Sequence, residues 1–239
     1  DRFLSGDKRQ RDHVAAFNIH VQDLQSFYEG VVRAHQTGSL ILCGHSMGAH
    51  IFMRWLMDHP DTNIAAAIFT APMMALAGHL AHLSANLLSW GALKFGYGDD
   101  YAPAQHDYDP QDRIFTANPL THDPVRFAIM EKYFKAYPDF IVGGVTWEWL
   151  HSAIKSMHVT QHRDTLSKLR MPILTMTGSR DQVTPYNEIQ RYLAMIPKAE
   201  NTLIGGALHD VMNETDQCRV DAWNRIDKFL SRLSMEKAA

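Results

Sequence analysis

Cysteine is scarce: Cys43 and Cys218 are the only two among 239 residues. Two thiols cannot make a disulfide framework, which favours a reducing compartment, the cytoplasm, over a secreted disulfide-stapled scaffold. No run reaches the roughly eighteen uninterrupted apolar residues that a membrane-spanning helix needs. Lysine and arginine are scattered and the formal charge is only −3. The chain therefore carries neither the basic footprint of a nucleic-acid binder nor a polybasic anchor for anionic lipid. Internal repeats and low-complexity tracts are missing as well. The first residue is Asp1, followed by polar sequence in which no signal peptide is visible. What remains is the composition of an ordinary folded chain, 46% apolar and 21% charged, sufficient to fill a core.

Apolar periodicity divides the chain. A helical stripe runs from Phe17 through Val21, Leu24, Tyr28 and Val32, and a short apolar run follows at Leu40-Ile41-Leu42-Cys43. That run is of the kind buried on both faces of a parallel sheet. Further strands are expected at 63–70, 173–177 and 201–204. Helices are expected after Ser46, from Pro124 to Tyr137 with Asp123 as N-cap, and along Val220, Trp223, Ile226, Phe229, Leu230 and Leu233. Strand, helix, strand, helical insertion, then strand, helix, strand, helix is the rhythm of an α/β protein. The expected fold is a mostly parallel sheet with helices on both faces, divided as core 1–70, lid 71–158 and core 159–239. Four strands are few for so long a chain, so the expectation is that N-terminal strands are missing from it.

Gly44-x-Ser46-x-Gly48 lies between a buried strand and a helix. Such a turn forces the serine into a strained conformation and stands its hydroxyl above the sheet edge. Gly44 and Gly48 are expected because side chains there would collide with strand and helix. A serine needs a base. Of the 14 histidines, position selects His209, just beyond the last strand in Gly205-Gly206-Ala207-Leu208-His209. The orienting carboxylate is Asp181, in the turn after the strand at 173–177. Ser46, Asp181 and His209 thus follow in the order of an α/β-hydrolase triad. His79 with His82, and His158 with His162, have spacings that would share a helix face. Neither pair has a third ligand near it, and no metal is expected.

Several stretches together resemble the monoacylglycerol lipases and bacterial lysophospholipases of the L2 type, within the serine aminopeptidase-like α/β-hydrolases. These are His13 to Tyr28 (HVAAFNIHVQDLQSFY), Gly44 to Gly48 (GHSMG, including His45), Asn118 to Asp123 (NPLTHD), Gly143 to Leu150 (GGVTWEWL), Thr177 to Pro185 (TGSRDQVTP), and Gly206 to His209 with Asn213-Glu214. The resemblance implies Ser46 as nucleophile, Asp181 as acid and His209 as base, with no cofactor. Ala49 and Asp210 depart mildly from the family pattern. Its upstream His-Gly loop, which donates one oxyanion N–H, and its Asp-x-Arg-Gly-x-Gly-x-Ser loop are both absent. The Met47 backbone N–H, one position past the nucleophile, is then the remaining oxyanion donor.

The substrate class rests on the lid. Met73, Met74, Leu76, Leu80, Leu83, Leu87, Leu88, Trp90, Phe95 and Trp147 are too apolar for all of them to face water. Most are expected to pack the lid onto the sheet, and some to line a pocket over Ser46. Each acyl methylene buried there is worth about 0.8 kcal/mol, which favours a small lipid ester, a lysophospholipid or monoacylglycerol. Peripheral membrane contact through the lid is part of this reading. Two alternatives remain. An aminopeptidase would hold a free amino group on lid carboxylates such as Asp99, Asp100, Asp107, Asp109 and Asp112. An inactive binding relative would keep the triad as a relic.

Overall fold

A computed structural model of the chain describes residues 4–75 and 79–238. Helix α1 (Asn18–Phe27) continues through a π-helical turn (Tyr28–Val32) into α2 (Arg33–His35). Strand β1 (Leu40–His45) runs straight into α3 (Ser46–Asp58), which stops short of Pro60. After β2 (Ile64–Thr70) come α4 (His79–Lys94), α5 (Pro124–Ala136), α6 (Trp147–Val159) and the single turn α7 (Arg163–Leu166). Then β3 (Ile173–Gly178), α8 (Tyr186–Leu193), β4 (Ala199–Ile204) and α9 (Asp216–Ala238) complete the chain. The strands form one sheet in the order β1-β2-β3-β4, and every neighbouring pair is parallel. Among the described residues the four expected strands are therefore the four found.

Alternation along the strands builds two cores. Ala67 and Phe69 of β2 point to one face and join Met53 and Leu56 of α3 and Ile189 and Leu193 of α8. Ala66 and Ile68 point to the other and join Ile226 and Phe229 of α9. A third cluster lies at the base of the insertion, where Val14 and Phe17 meet Met73, Ala153, Ile154 and Met157. Asp123 caps α5 as its position predicts, its Oδ1 accepting the Val125 and Arg126 N–H groups at 2.9 Å each.

Three expectations need correction. Strand β1 is not buried on both faces: among the described residues it is the sheet's edge, and Cys43 is exposed. The face it shares with β2 opens into a groove of about 420 Å³ lined by Ile41, Cys43, Ile68, Met212, Trp223 and Leu230. For the same reason the α9 stripe is only partly covered, and Val220 and Trp223 stay exposed while Ile226 and Phe229 are buried. His158 and His162 do not share a helix face, because α6 ends at Val159 and His162 caps α7. The side chains of His79, Leu80 and His82, and all of Leu76, lie outside the described residues.

Helix α6 places Ala153, Ile154 and Met157 on its buried face behind an N-cap at Thr146, whose Oγ1 accepts the Trp149 N–H at 3.2 Å. It packs against α3 through a buried polar contact: Ser156 Oγ lies 2.7 Å from both His50 Nε2 and Arg54 Nη1. Burial, reinforced by the Arg54 charge, pushes the His50 imidazole down from 6.5 to about 3. Below pH 6.5 the unfolded chain takes up a proton that the folded chain refuses, so stability falls as the pH drops toward 3. The slope is at most about 1.4 kcal/mol per pH unit. Urea unfolding at pH 7 and pH 5 should show His50→Gln losing about 2 kcal/mol less over that interval than the wild type. Equal losses would show that His50 does not drive the acid sensitivity.

Candidate active site

The site forms where β1, β3 and β4 end at the carboxyl edge of the sheet. Gly44 sits in β1 against α3: a Cβ there would come within 2.8 Å of the Ala49 Cα and of the Phe52 ring. Only glycine allows the helix to start this close to the strand. Gly48 is different, since a Cβ at that position meets nothing within 4 Å. The collision expected there does not exist; position 48 faces open space on the first turn of α3.

Ser46 carries φ of 49°, in the left-handed region that side chains other than glycine's seldom occupy. This strain lifts its hydroxyl off the helix axis toward His209, whose Nε2 lies 3.0 Å from Ser46 Oγ. On the other side of the ring, His209 Nδ1 is 2.9 Å from Asp181 Oδ2. The Asp181 side chain is fully buried and that of His209 is 4% exposed. Asp181 Oδ1 accepts the N–H groups of Val183 (2.8 Å) and Thr184 (3.0 Å), and the Thr184 hydroxyl donates to Oδ2 at 2.9 Å. Burial by itself would raise the Asp181 carboxyl. The hydrogen bonds from His209 and Thr184, with the imidazole's charge, outweigh it and hold the carboxyl below its ordinary value. The aspartate stays ionised and fixes the imidazole with Nε2 toward the serine.

Three further residues shape this line. His45 lies against His209 with ring centroids 4.8 Å apart and the planes tilted by 58°, and its Nδ1 is 2.9 Å from Thr70 Oγ1. Burial, the largest influence, and the neighbouring His209 push its imidazole below the ordinary value, against the opposing charge of Asp210. Met47 opens the first turn of α3, where the leading N–H groups of a helix have no carbonyl partner within it. Gly178 ends β3 against the His209 loop: a Cβ there would fall 2.0 Å from the Leu208 carbonyl oxygen and 2.4 Å from that of Ala207. Neither Gly178 nor Thr184 stands out by spacing. The signal for Thr184 is a hydroxyl three residues after a turn aspartate, the pattern of a local side-chain-to-backbone turn.

The carboxylates between residues 99 and 112 are already engaged. Asp99 pairs with Lys8 at 3.4 Å, Asp100 with Arg11 at 3.0 Å, and Asp112 with His106 at 3.5 Å. Asp107 accepts the Tyr101 hydroxyl, and Asp109 caps the Gln111 N–H. Among the described residues one group of three, His13, Asp99 and Glu148, brings metal-type ligand atoms within 4.8 Å of one another. His13 Nε2 pairs there with Glu148 at 3.5 Å, and the cluster fastens the N-terminal segment to the insertion.

A serine at a strained strand-to-helix turn, backed by histidine and a buried aspartate at the edge of a parallel sheet, defines the α/β-hydrolase class. The chain belongs to the family described as serine aminopeptidase, S33, whose sequence pattern matches residues 5–216. It is similar to the probable lysophospholipase L2 of Haemophilus influenzae, 24% identical over 223 residues, covering 93% of this chain and 69% of the relative. It is also similar to the lysophospholipase L2 of Escherichia coli K12, 25% identical over 228 residues, covering 92% of this chain. The chain spans 66% of that relative's length. Among solved structures, a soluble variant of monoglyceride lipase from Saccharomyces cerevisiae superposes with a TM-score of 0.65 at 16% identity, covering 96% of this chain and 71% of that one. The monoacylglycerol lipase of Paleococcus ferrophilus gives 0.65 at 16% identity, covering 90% and 76%. These structures bear out the fold, and the family match bears out the resemblance seen in the sequence.

Proposed function

We propose that the chain is a serine carboxylester hydrolase acting on lysophospholipids or monoacylglycerols, with Ser46, His209 and Asp181 as its catalytic triad. The observation that carries the proposal is the unbroken line Ser46 Oγ, His209 Nε2, His209 Nδ1, Asp181 Oδ2. In this reading His209 takes the Ser46 proton as the oxygen attacks the ester carbonyl. The Met47 N–H, at the positive end of α3, faces the developing oxyanion. The protonated imidazole, held by Asp181, then gives its proton to the leaving alcohol, and water repeats the sequence to release the acid.

The lipid assignment draws on the insertion, which we read as a lid over residues 71–158. Met73 and Met74 are buried, but Leu83, Leu87, Leu88, Trp90 and Phe95 are not packed onto the sheet domain as their character predicts. Leu87 is 68% exposed and Phe95 80%. An uncovered stripe on α4 fits the interface of a lipid aggregate and supports peripheral contact there. Among the described residues no helix is long and apolar enough to cross a membrane. An aminopeptidase reading is disfavoured because each lid carboxylate that would hold a free amino group is committed to a local partner.

Steady-state rates on lysophosphatidylcholine, a long-chain monoacylglycerol and an aminoacyl arylamide test the substrate class. The ester substrates should be turned over at least about 100-fold faster in kcat/KM, a difference of roughly 2.7 kcal/mol in transition-state binding. Faster arylamide cleavage would overturn the ester assignment.

A further inference from the structure

The triad leaves unused a carboxylate buried more completely than most. Glu214 has no exposed surface, and it sits at the end of the loop that carries His209. Its Oε1 accepts the Leu208 N–H at 2.8 Å, one residue before the base, and its Oε2 accepts the Thr215 N–H at 2.9 Å. Oε1 also lies 2.9 Å from Nδ1 of His122, which belongs to the insertion. A buried charge is tolerated only where such bonds replace its hydration.

The same insertion segment holds the other side of the loop. The His209 N–H donates to the Pro119 carbonyl at 3.3 Å and the Asp210 N–H to that of Leu120 at 2.9 Å. Thr121 Oγ1 donates to the Asn213 carbonyl at 2.7 Å. Asn118 stiffens the segment from within, its Oδ1 accepting the Leu120 and Thr121 N–H groups at 2.9 Å each. Arg126 completes the attachment through the Glu214 carbonyl at 3.1 Å and Asp216 at 2.6 Å. The backbone on both sides of His209 is thus bonded either to Glu214 or to residues 118–121.

We infer that Glu214 is a positioning residue for the reaction: its buried carboxylate sets the backbone that aims His209, and His122 ties that setting to the insertion. The inference rests on the proposed role of His209 as base. The consequence is that the insertion does more than cover the site. Its 118–126 segment forms part of the mounting of the base, so a shift of that segment moves the imidazole relative to Ser46. Displacements on the order of 1 Å cost about 100-fold in rate.

Glu214→Gln keeps the volume but places an amide where two N–H donors converge. Its kcat per active site, counted by end-point fluorophosphonate labelling, should fall about 10- to 100-fold while KM changes less than about twofold. A residue acting only on stability would lower the melting temperature and leave kcat per site unchanged, which would overturn the inference. A cycle with Asp181→Ala, which removes every bond to the ring at Nδ1 from that position, separates the cases further. If Glu214 works through the aim of His209, its substitution should cost less than about threefold once Asp181 no longer holds the ring. Additive losses would contradict it. Should Glu214→Gln not fold, His122→Ala removes only the tie to the insertion, from a half-exposed position. It is expected to lower kcat about three- to tenfold, and an unchanged kcat would contradict the tie. Full hydrolysis by Ser46→Ala would instead remove the triad reading on which the inference stands. An inactive Ser46→Ala beside a fully active Glu214→Gln would remove the inference alone.

Discussion

Ester hydrolysis by Ser46→Ala is expected to fall by about 10⁶ in kcat, to the level that binding and oxyanion stabilisation alone provide. The size of the loss follows from how completely the site is organised around one oxygen. Ser46 Oγ has His209 Nε2 at 3.0 Å, and among the described residues no second hydroxyl meets that nitrogen. Thr184 Oγ1 approaches the ring from the opposite side, 3.4 Å from Nδ1. Alanine should fold as serine does, because it occupies the same φ of 49° with the same Cβ and the lost hydroxyl makes no bond needed by the core. Activity and stability therefore separate in this variant: urea midpoints should agree while turnover disappears. Retention of more than about one per cent of wild-type kcat would place the nucleophile elsewhere.

Asp181→Asn is expected to cost about 10⁴ in kcat with KM little changed. The asparagine amide can present N–H where the carboxylate accepts, which turns the imidazole to the tautomer carrying its proton on Nε2. That nitrogen then cannot accept from Ser46. The environment leaves little room for another outcome, since Oδ1 already receives two backbone N–H groups and must remain an oxygen. The amide nitrogen is forced toward His209 Nδ1. Rates should recover partly at high pH if hydroxide substitutes for the base, so the profile of kcat from pH 6 to pH 10 checks the mechanism. A loss below about tenfold would mean that Asp181 is a turn residue and that another group orients the base.

The strands, and the three residues Ser46, His209 and Asp181 that the fold brings into one hydrogen-bonded line, were legible because each rests on short-range chemistry. Ile64–Thr70 and Ile173–Gly178 are apolar runs buried on both faces, and the turn after the second carries Asp181. Ser46 announces itself because a strained elbow needs the close approach at Gly44. The burial of β1 and α9 was not legible, because exposure along an edge depends on which neighbours a strand has rather than on its own residues. The apolar residues of α4 and just beyond it mislead for a similar reason: Leu87 and Phe95 read as core by composition, yet both stay largely exposed. Glu214 lies within a segment that resembles the family, but its role is tertiary. Sequence places it five residues after His209, whereas only the fold brings His122 to its carboxylate. Gly178 is hidden in the same way, since the backbone it makes room for comes from Ala207 and Leu208.

The central claim is that Ser46 is the nucleophile activated by His209. Intact-protein mass spectrometry after exposure to a fluorophosphonate ester, followed by peptide mapping, tests it most directly. The account predicts a single adduct on the peptide carrying Gly44 to Gly48, located at Ser46, abolished in Ser46→Ala and formed far more slowly in His209→Ala. An adduct on another residue, or labelling at Ser46 that proceeds equally fast without His209, would contradict it.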